Sequence, residues 1–375
     1  MEFDKDSNLS VSARVVSVWT GRPKDDEAII SVRYNGRCFS IHVSPSFFHN
    51  SPAATALCPK YLQAIESFCD GEYEDEVDTD VRKWIIDLFT PIYVQLAPEP
   101  LPSFDPEKIR SGDAKPLLSE YLFPQTFGFR LEAVNEVYNP RHVDNDGGLL
   151  TPCAYLDGDL LDDMEDWTRF INPAEIEVYF QNPRDALDKM PRRVLVDLDG
   201  SGQMTTCFFK EPSGIGSKDC PMSIEIKAYA KMHKANFGPD VRVPRLHGVV
   251  HNDEPNDSTL GLLLSYIDQR ATLHQAVKDD PPLAMRQKWA KQIEHTLKEL
   301  HRAGVIWGDP KPDNIMIDKE DNVVLVDFEG GHFTMGWVDA EKVGTVEGDL
   351  QGLQNIMAFL FKPNTDEIDS RASKL

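Results

Sequence analysis

Residues 300–314 read LHRAGVIWGDPKPDN, and this stretch decides which fold the chain adopts. A helix with apolar residues on one face ends at Gly304, a residue type that favours helix C-termini. A short apolar run then predicts a strand, and Asp309, Lys311 and Asn314 follow on one loop. Phosphoryl transfer requires a carboxylate to orient a hydroxyl, a cation to neutralise phosphate charge and side chains that hold magnesium. This loop carries all three kinds of group.

A second motif, DFEG at residues 327–330, follows a hairpin predicted at residues 316–318 and 323–326. Asp327 lies eighteen residues after Asp309. An Asp or Asn alone is also common in ordinary turns and helix caps, which is the alternative interpretation of both segments. Together they resemble the catalytic loop of Ser/Thr protein kinases, L-H-x-x-G-[IV]-x-H-R-D-L-K-P-E-N, and its partner D-F-G.

This resemblance to the protein-kinase-like superfamily implies a role for each residue. Asp309 would orient or deprotonate the acceptor hydroxyl, and Lys311 would neutralise charge on the transferred phosphate. Asn314 and Asp327 would hold Mg²⁺, and the nucleotide would be ATP. Asp349 resembles the aspartate that braces the catalytic loop from beneath, although it is equally compatible with a plain helix cap.

Two further candidate site residues lie upstream of this loop in the chain. Lys210 ends the apolar strand predicted at 205–210, where a charge is unexpected unless it faces a site. It resembles the lysine that holds the α- and β-phosphates, and Glu225, on the helix predicted at 223–235, resembles the glutamate that pairs with it. The alternative is an exposed lysine at a strand end and a glutamate that faces solvent.

The chain also departs from Ser/Thr protein kinases. Residues 181–192, where a Gly-rich loop should cover the phosphates, contain no glycine, and the glycines at 214 and 216 come after Lys210. Trp307-Gly308 replaces His-Arg, so activation through a phosphorylated loop is not expected. Glu329 replaces the glycine of D-F-G and, with Gly308, resembles choline kinases and aminoglycoside phosphotransferases.

Fungal kinase-like proteins share the W-G-D-x-K-P-D-N and E-G-D-L-Q runs, which suggests a fungal source. No A-P-E motif follows the DFEG segment.

Composition limits the remaining possibilities. The 375 residues suggest two domains, and a net charge of -23 argues against a nucleic-acid or membrane partner. No apolar stretch approaches the ~20 residues of a membrane helix. The six cysteines form no C-x-x-C pair, and no secretory segment follows Met1. We therefore expect reduced thiols and a cytoplasmic protein.

The first part of the chain predicts a small α+β domain of unknown role at residues 1–150. Strands are expected at 13–19, 28–34, 37–43 and 127–137, helices at 53–69 and 81–96, an acidic linker at 70–80 and a proline-rich loop at 98–106. The Asn35-Gly36 pair predicts a two-residue hairpin turn.

The second part, residues 170–375, predicts a kinase-like catalytic domain. Strands are expected at 175–181, 193–199, 205–209 and 260–267 and near Val249, and helices at 223–235 and 283–303. This order indicates an α+β, two-lobed fold. The expected activity is ATP-dependent transfer to a hydroxyl, with protein Ser/Thr slightly preferred because of Lys311. A small-molecule kinase and a pseudokinase scaffold are the alternatives, and the acceptor or partner is not legible in the sequence.

Overall fold

The computed structural model describes residues 13–20, 27–56, 79–144, 153–156, 158–212, 220–251, 258–330 and 336–361. The chain divides into two compact units. The first comprises residues 1–151 and 173–195, and the second comprises residues 152–172 and 196–375. Segment 173–195, which the sequence analysis placed largely with the kinase-like region, clusters with the first unit.

The strands, in chain order, are β1 (Arg14–Thr20), β2 (Ala28–Tyr34), β3 (Arg37–His49), β4 (Thr126–Val134), β5 (Val137–Val143), β6 (Ala154–Tyr155), β7 (Phe170–Ile171), β8 (Glu177–Tyr179), β9 (Arg193–Asp197), β10 (Met204–Lys210), β11 (Leu246–His251), β12 (Ser258–Ser265), β13 (Gln269–Thr272), β14 (Ile315–Asp318) and β15 (Val323–Leu325). The helices are α1 (Thr79–Leu96), α2 (Pro106–Ser111), α3 (Leu118–Leu122), α4 (Gly158–Glu165), α5 (Pro221–Ala235), α6 (Leu273–Lys278), α7 (Leu283–Arg302) and α8 (Val346–Phe361). Residues 52–56 are also helical.

The first unit is built on a five-stranded sheet in the order β1-β2-β3-β4-β5. All neighbouring strands are antiparallel except β3 and β4, which are parallel. Asn35 and Gly36 join β2 to β3 with φ angles of 50° and 78°, the left-handed values that the predicted two-residue turn requires.

Helix α1 covers one face of this sheet. Strand alternation places Val32, Phe39 and Phe129 on that face, where they are buried in one apolar cluster with Phe89 and Tyr93 of α1. The ring of Phe39 lies 4.7 Å from that of Tyr93, and the ring of Phe129 lies 5.7 Å from that of Phe89. Burial of each such side chain stabilises the unit by roughly 1.5–3 kcal/mol.

The second unit carries strands in the order β7-β11-β12-β10, with β6 paired to the end of β12. Lys210, the last residue of β10, is paired with Leu262 on the central strand β12. Helix α5 buries Met222, Glu225, Ile226 and Tyr229. Their spacing of three and four residues forms one helical face, so Glu225 is carried into the core by its apolar neighbours.

The remainder of the second unit is mainly helical. Helix α7 buries Trp289, Ile293, Leu297 and Leu300 at helical spacing and packs against α8 and β15. A three-stranded sheet has the order β13-β14-β15, in which β13 precedes residues 300–314 in the chain and β14 and β15 follow them. The mixture of sheets and helices is the α+β class expected from the sequence.

Several predicted elements differ in the structure. The strand predicted at 127–137 is a hairpin of β4 and β5, because Asn135 and Glu136 adopt left-handed φ angles of 50° and 65° and reverse the chain. The helix predicted at 53–69 is helical at residues 52–56, and its residues 57–69 lie outside the described ranges. The acidic residues 70–78 and the glycines at 214 and 216 lie outside them as well. No helix in the described ranges has the length and apolar character needed to cross a membrane.

Candidate active site

Lys210 lies at the centre of a cluster of acidic side chains. Its Nζ is 2.8 Å from Oε2 of Glu225, 2.7 Å from Oδ1 of Asp327 and 2.6 Å from Oε1 of Glu329. The side chain of Glu225 is 1% exposed and that of Lys210 is 15% exposed, whereas Asp327 is 37% exposed. The cluster therefore has a buried end on α5 and an open end at the DFEG loop.

Burial and charge act against each other in this cluster. Burial raises the pKa of Glu225 to about 7, and the charge of Lys210 opposes that rise. Burial alone would lower the pKa of Lys210, but the three carboxylates outweigh it and hold that pKa above its ordinary value. Lys210 is therefore a permanent cation, and its neighbours carry more negative charge than it neutralises.

The loop 305–314 forms a second group of contacts. Nζ of Lys311 is 2.8 Å from Oδ2 of Asp309. The side-chain amide of Asn314 donates to the carbonyl and to Oδ2 of Asp309, both at 3.0 Å. Asp309 is 8% exposed and is held by both neighbours. The three residues that the sequence placed on one loop thus contact one another in the structure.

Asp349 supports this loop from α8. Its carboxylate, which is 1% exposed, accepts hydrogen bonds from the backbone N–H groups of Trp307 and Gly308, each at 2.8 Å. Nε2 of His301, at the end of α7, is also 2.8 Å from Oδ2 of Asp349. Asp349 therefore holds the backbone directly before Asp309, which exceeds the role of a plain helix cap.

Backbone contacts connect the two groups of residues. The N–H of Val326 donates to the carbonyl of Asn314 at 3.1 Å, and the indole N–H of Trp307 donates to the carbonyl of Val326 at 2.9 Å. Gly308, at φ 90°, lies so close to the DFEG loop that a Cβ atom would be 2.9 Å from Cα of Gly330. Asp327 therefore lies directly beside the loop that carries Asp309.

The DFEG loop also contacts α5. Phe328 is buried, and its ring lies edge-on to that of Tyr229 with centroids 6.0 Å apart. Asp327 itself has a φ of 67°, an uncommon value for a residue with a side chain, and such strain is often retained at functional sites. The turn directs Asp327 and Glu329 toward Lys210 while Phe328 packs into the core.

The residues present fit a magnesium ion bound with a nucleotide. Mg²⁺ prefers oxygen ligands and usually uses one or two carboxylates together with phosphate oxygens. Asp327 is partly exposed in a cluster with excess negative charge. The side-chain nitrogen of Asn314 donates to Asp309, and no donor among the described residues contacts its Oδ1. Those residues include no group of three His, Cys, Asp or Glu side chains arranged as a metal site, so phosphate oxygens would have to complete the shell.

The sequence motifs assign no site role to Glu329 or His301. Glu329, which replaces the glycine of D-F-G, makes the shortest of the three contacts to Lys210. The signal for this role of Glu329 in the sequence is its position two residues after Asp327, in the same short loop. His301 lies in the quoted stretch, but its partner Asp349 is 48 residues away in sequence.

Comparison with known proteins agrees with this geometry. Residues 225–341 match the APH phosphotransferase enzyme family, and they include the site residues named above except Lys210 and Asp349. A 62-residue stretch is 37% identical to serine/threonine-protein kinase PKH3 of Eremothecium gossypii, which covers 16% of this chain and 8% of that protein. The chain therefore spans only a small part of the relative it matches. Over residues 225–341, the chain is therefore similar to phosphotransferases.

Proposed function

We propose that the chain is an ATP-dependent phosphotransferase that uses Mg²⁺ and transfers the γ-phosphoryl group to a hydroxyl, with Ser or Thr of a protein as the preferred acceptor. One observation carries the proposal: Lys210, paired with buried Glu225, contacts Asp327, whose loop is hydrogen-bonded to the loop that holds Asp309. A phosphate-binding cation, metal ligands and an acceptor-orienting carboxylate are thereby available within one unit.

Each of these side chains would have a separate role in binding or transfer. Lys210, fixed by Glu225, would bind the nucleotide phosphates in place of Asp327 and Glu329. Asp327 and the oxygen of Asn314 would hold Mg²⁺, which supplies charge neutralisation on the phosphates. Asp309 would accept the hydrogen bond of the acceptor hydroxyl, and Lys311, 2.8 Å from it, would stabilise charge on the transferred group.

A small-molecule hydroxyl is the second candidate acceptor. The match to the APH phosphotransferase family over residues 225–341 favours it, as does Glu329 beside Lys210. Lys311 favours the protein acceptor, because it is the residue type that the Ser/Thr kinase motif carries at this position. Radiolabelled ATP incubated with a panel of proteins and a panel of hydroxylated metabolites would separate the two, since label would enter only one class.

The roles of Asp309 and Asp327 predict different defects. Asp327→Asn removes charge from a metal ligand, so both Mg-ATP affinity and turnover should fall. Asp309→Asn should lower turnover by about 10²- to 10⁴-fold and leave Mg-ATP affinity near that of the wild type. Calorimetry of Mg-ATP binding and single-turnover ATP consumption measure the two properties separately.

Asp268→Asn is a matched control, because that carboxylate lies on the surface beside Lys319 and should change neither property. Equal loss of Mg-ATP affinity in both active-site variants would contradict the division of roles. Wild-type protein that binds Mg-ATP but transfers phosphate to neither water nor any acceptor would instead support a pseudokinase scaffold.

A further inference from the structure

A cavity of about 520 Å³ lies in the second unit, behind the C-terminal half of α5. Its walls come from the end of α5, the connection from α5 to β11, the start of β11, and Trp167. Of the residues described at the candidate active site, Tyr229, whose ring packs against Phe328, also lines the cavity, whereas Lys210, Glu225, Asp309, Asn314 and Asp327 do not. This volume lies within the ~300–1,000 Å³ range of small-molecule sites, so the cavity suits a small ligand better than a peptide or a nucleic acid.

The charge of the cavity is opposite to that of the protein. The whole chain has a net charge of -23, yet the described residues that line the cavity include Arg242 and Arg245 and no Asp or Glu. Asp240 lies in the same connection, where its carboxylate is 2.8 Å from Nε2 of His295 on α7 and also interacts with the charge of Arg242. The lining of the cavity itself therefore carries positive charge in an acidic protein.

The two arginines are not used by the fold. Backbone atoms of Arg242 and Arg245 form hydrogen bonds with Thr296, Leu325 and Ser265, but within the described ranges their guanidinium groups form no hydrogen bond or ion pair. Burial and then the charge of Arg245 lower the pKa of His247, which agrees with a positive potential here. Two unpaired guanidinium groups in one cavity are suited to bind a phosphate.

Aromatic side chains provide the other half of the lining. The ring of Trp167 lies over that of His233, with centroids 5.2 Å apart and an angle of 30° between the planes. Phe237 lines the same cavity. Flat apolar surfaces next to cationic groups favour a ligand that has both a ring and a negative charge.

We propose that this cavity is a binding site for a small aryl phosphate, in which Arg242 and Arg245 bind the phosphate and Trp167 and Phe237 contact the ring. The site is separate from the proposed active site, and its occupation is measured without any assay of phosphoryl transfer.

The test uses the full chain labelled with 5-fluorotryptophan and titrated with phenyl phosphate. The chain has six tryptophans, of which Trp167 reports on the cavity and Trp307 reports on the catalytic loop. Trp167→Phe and Trp307→Phe assign the two ¹⁹F resonances. The Trp167 resonance should shift saturably with phenyl phosphate. Phenol and inorganic phosphate, which lack the charge and the ring respectively, should bind at least about ten-fold more weakly.

Arg242→Gln and Arg245→Gln should each lower the affinity for phenyl phosphate roughly ten-fold, because each removes one charge-assisted hydrogen bond. The other tryptophan resonances show whether each variant is folded. Arg110→Gln, which alters an exposed arginine of the first unit, is the matched control and should leave the titration unchanged. The proposal is overturned if the Trp167 resonance does not shift saturably, if only Trp307 responds, or if the cavity variants bind as tightly as Arg110→Gln.

Discussion

Glu225 is an almost fully buried acidic residue of the candidate site, and its burial makes the free energy of unfolding depend on pH. Its carboxyl has a pKa of about 7 in the folded protein, against an ordinary value of 4.5. Between these values the folded state binds more protons than the unfolded state. The free energy of unfolding should therefore decrease as pH rises from about 4.5 to about 7.

Glu225→Gln tests this titration. The amide cannot ionise, so the variant should lose this part of the pH dependence, which amounts to at most about 3 kcal/mol across the window. Urea unfolding of both proteins at several pH values measures it. Glu107→Gln, at an exposed glutamate, should keep the slope of the wild type. A slope that is unchanged in Glu225→Gln would show that another group is responsible.

Gly308 and Gly304 form a natural pair for testing the contact between the two loops. Both have positive φ angles, 90° and 70°, but only at Gly308 would a Cβ atom meet backbone, 2.9 Å from Cα of Gly330. Gly304→Ala should cost about 1 kcal/mol of stability, the penalty of a left-handed alanine, and retain activity. Gly308→Ala should cost more and lower turnover by on the order of 10²-fold, because the catalytic loop must move away from the DFEG loop.

Thermal unfolding and single-turnover kinetics of the two alanine variants provide the comparison. Equal stability and equal turnover in both would mean that the close approach of the loops has no functional role.

At the level of single residues, the sequence was informative where chemistry and spacing coincide. Asp309, Lys311 and Asn314 lie within six residues, and the structure brings them into contact. Lys210 was named from a charge at the end of an apolar strand, and Glu225 from its resemblance to the helix glutamate that pairs with such a lysine; the two residues also meet. Glu329 could not be assigned in advance, because its contact with Lys210 depends on how the left-handed turn at Asp327 directs the loop.

At the level of elements, α7 offers two His–Asp pairs with the same Nε2 to Oδ2 distance of 2.8 Å. His301, which is partly buried, and Asp349, which is fully buried, connect α7 to α8, whereas His295 and Asp240 are largely exposed. The buried carboxylate also accepts two backbone hydrogen bonds from the catalytic loop. The burial of each pair, and not its interatomic distance, should therefore decide how much the pair contributes to the free energy of unfolding.

Asp349→Asn should therefore destabilise the protein by about 3 kcal/mol, because one oxygen is replaced by an amide that faces other donors. Turnover should fall as well, because the backbone before Asp309 loses its support. Asp240→Asn, the matched control, should leave both unchanged. Chemical denaturation and single-turnover assays of the two variants measure these effects, and similar losses in both would remove the special role of Asp349.

Elements with a clear period or turn signal were predicted closely: β2 has the predicted bounds, and α1, α5 and α7 begin and end within two residues of them. Among the elements that were missed, β13 and α6 have weak signals. Strand β13 is four residues long, and α6 begins directly after it, so neither spans enough chain to show a period. The β4–β5 hairpin was missed because Asn135-Glu136 lacks the glycine that usually marks such a turn.

At the level of the whole molecule, neither of the two compact units is formed by one continuous stretch of the chain. Segment 173–195 clusters with the first unit even though it follows residues 152–172 of the second. Within the first unit the N–H of Leu118 donates to the carbonyl of Ile176 at 2.9 Å, and the N–H of Val178 donates to the carbonyl of Pro116 at 2.8 Å. Sequence alone could not show this, because these contacts join segments some 60 residues apart, and apolar periodicity carries no information on partners.

This arrangement predicts which part of the protein depends on Ile176, a fully buried side chain. Ile176→Ala should destabilise its unit by roughly 2–5 kcal/mol, through lost apolar contact and the cavity that remains. Hydrogen exchange of the full chain should then accelerate in β2, β3 and α3, which belong to the first unit, and remain slow in α7. Ile293→Ala, at an equally buried residue of α7, should have the opposite pattern. Faster exchange in α7 but not in α3 after Ile176→Ala would show that segment 173–195 stabilises the second unit, as its place in the chain had suggested.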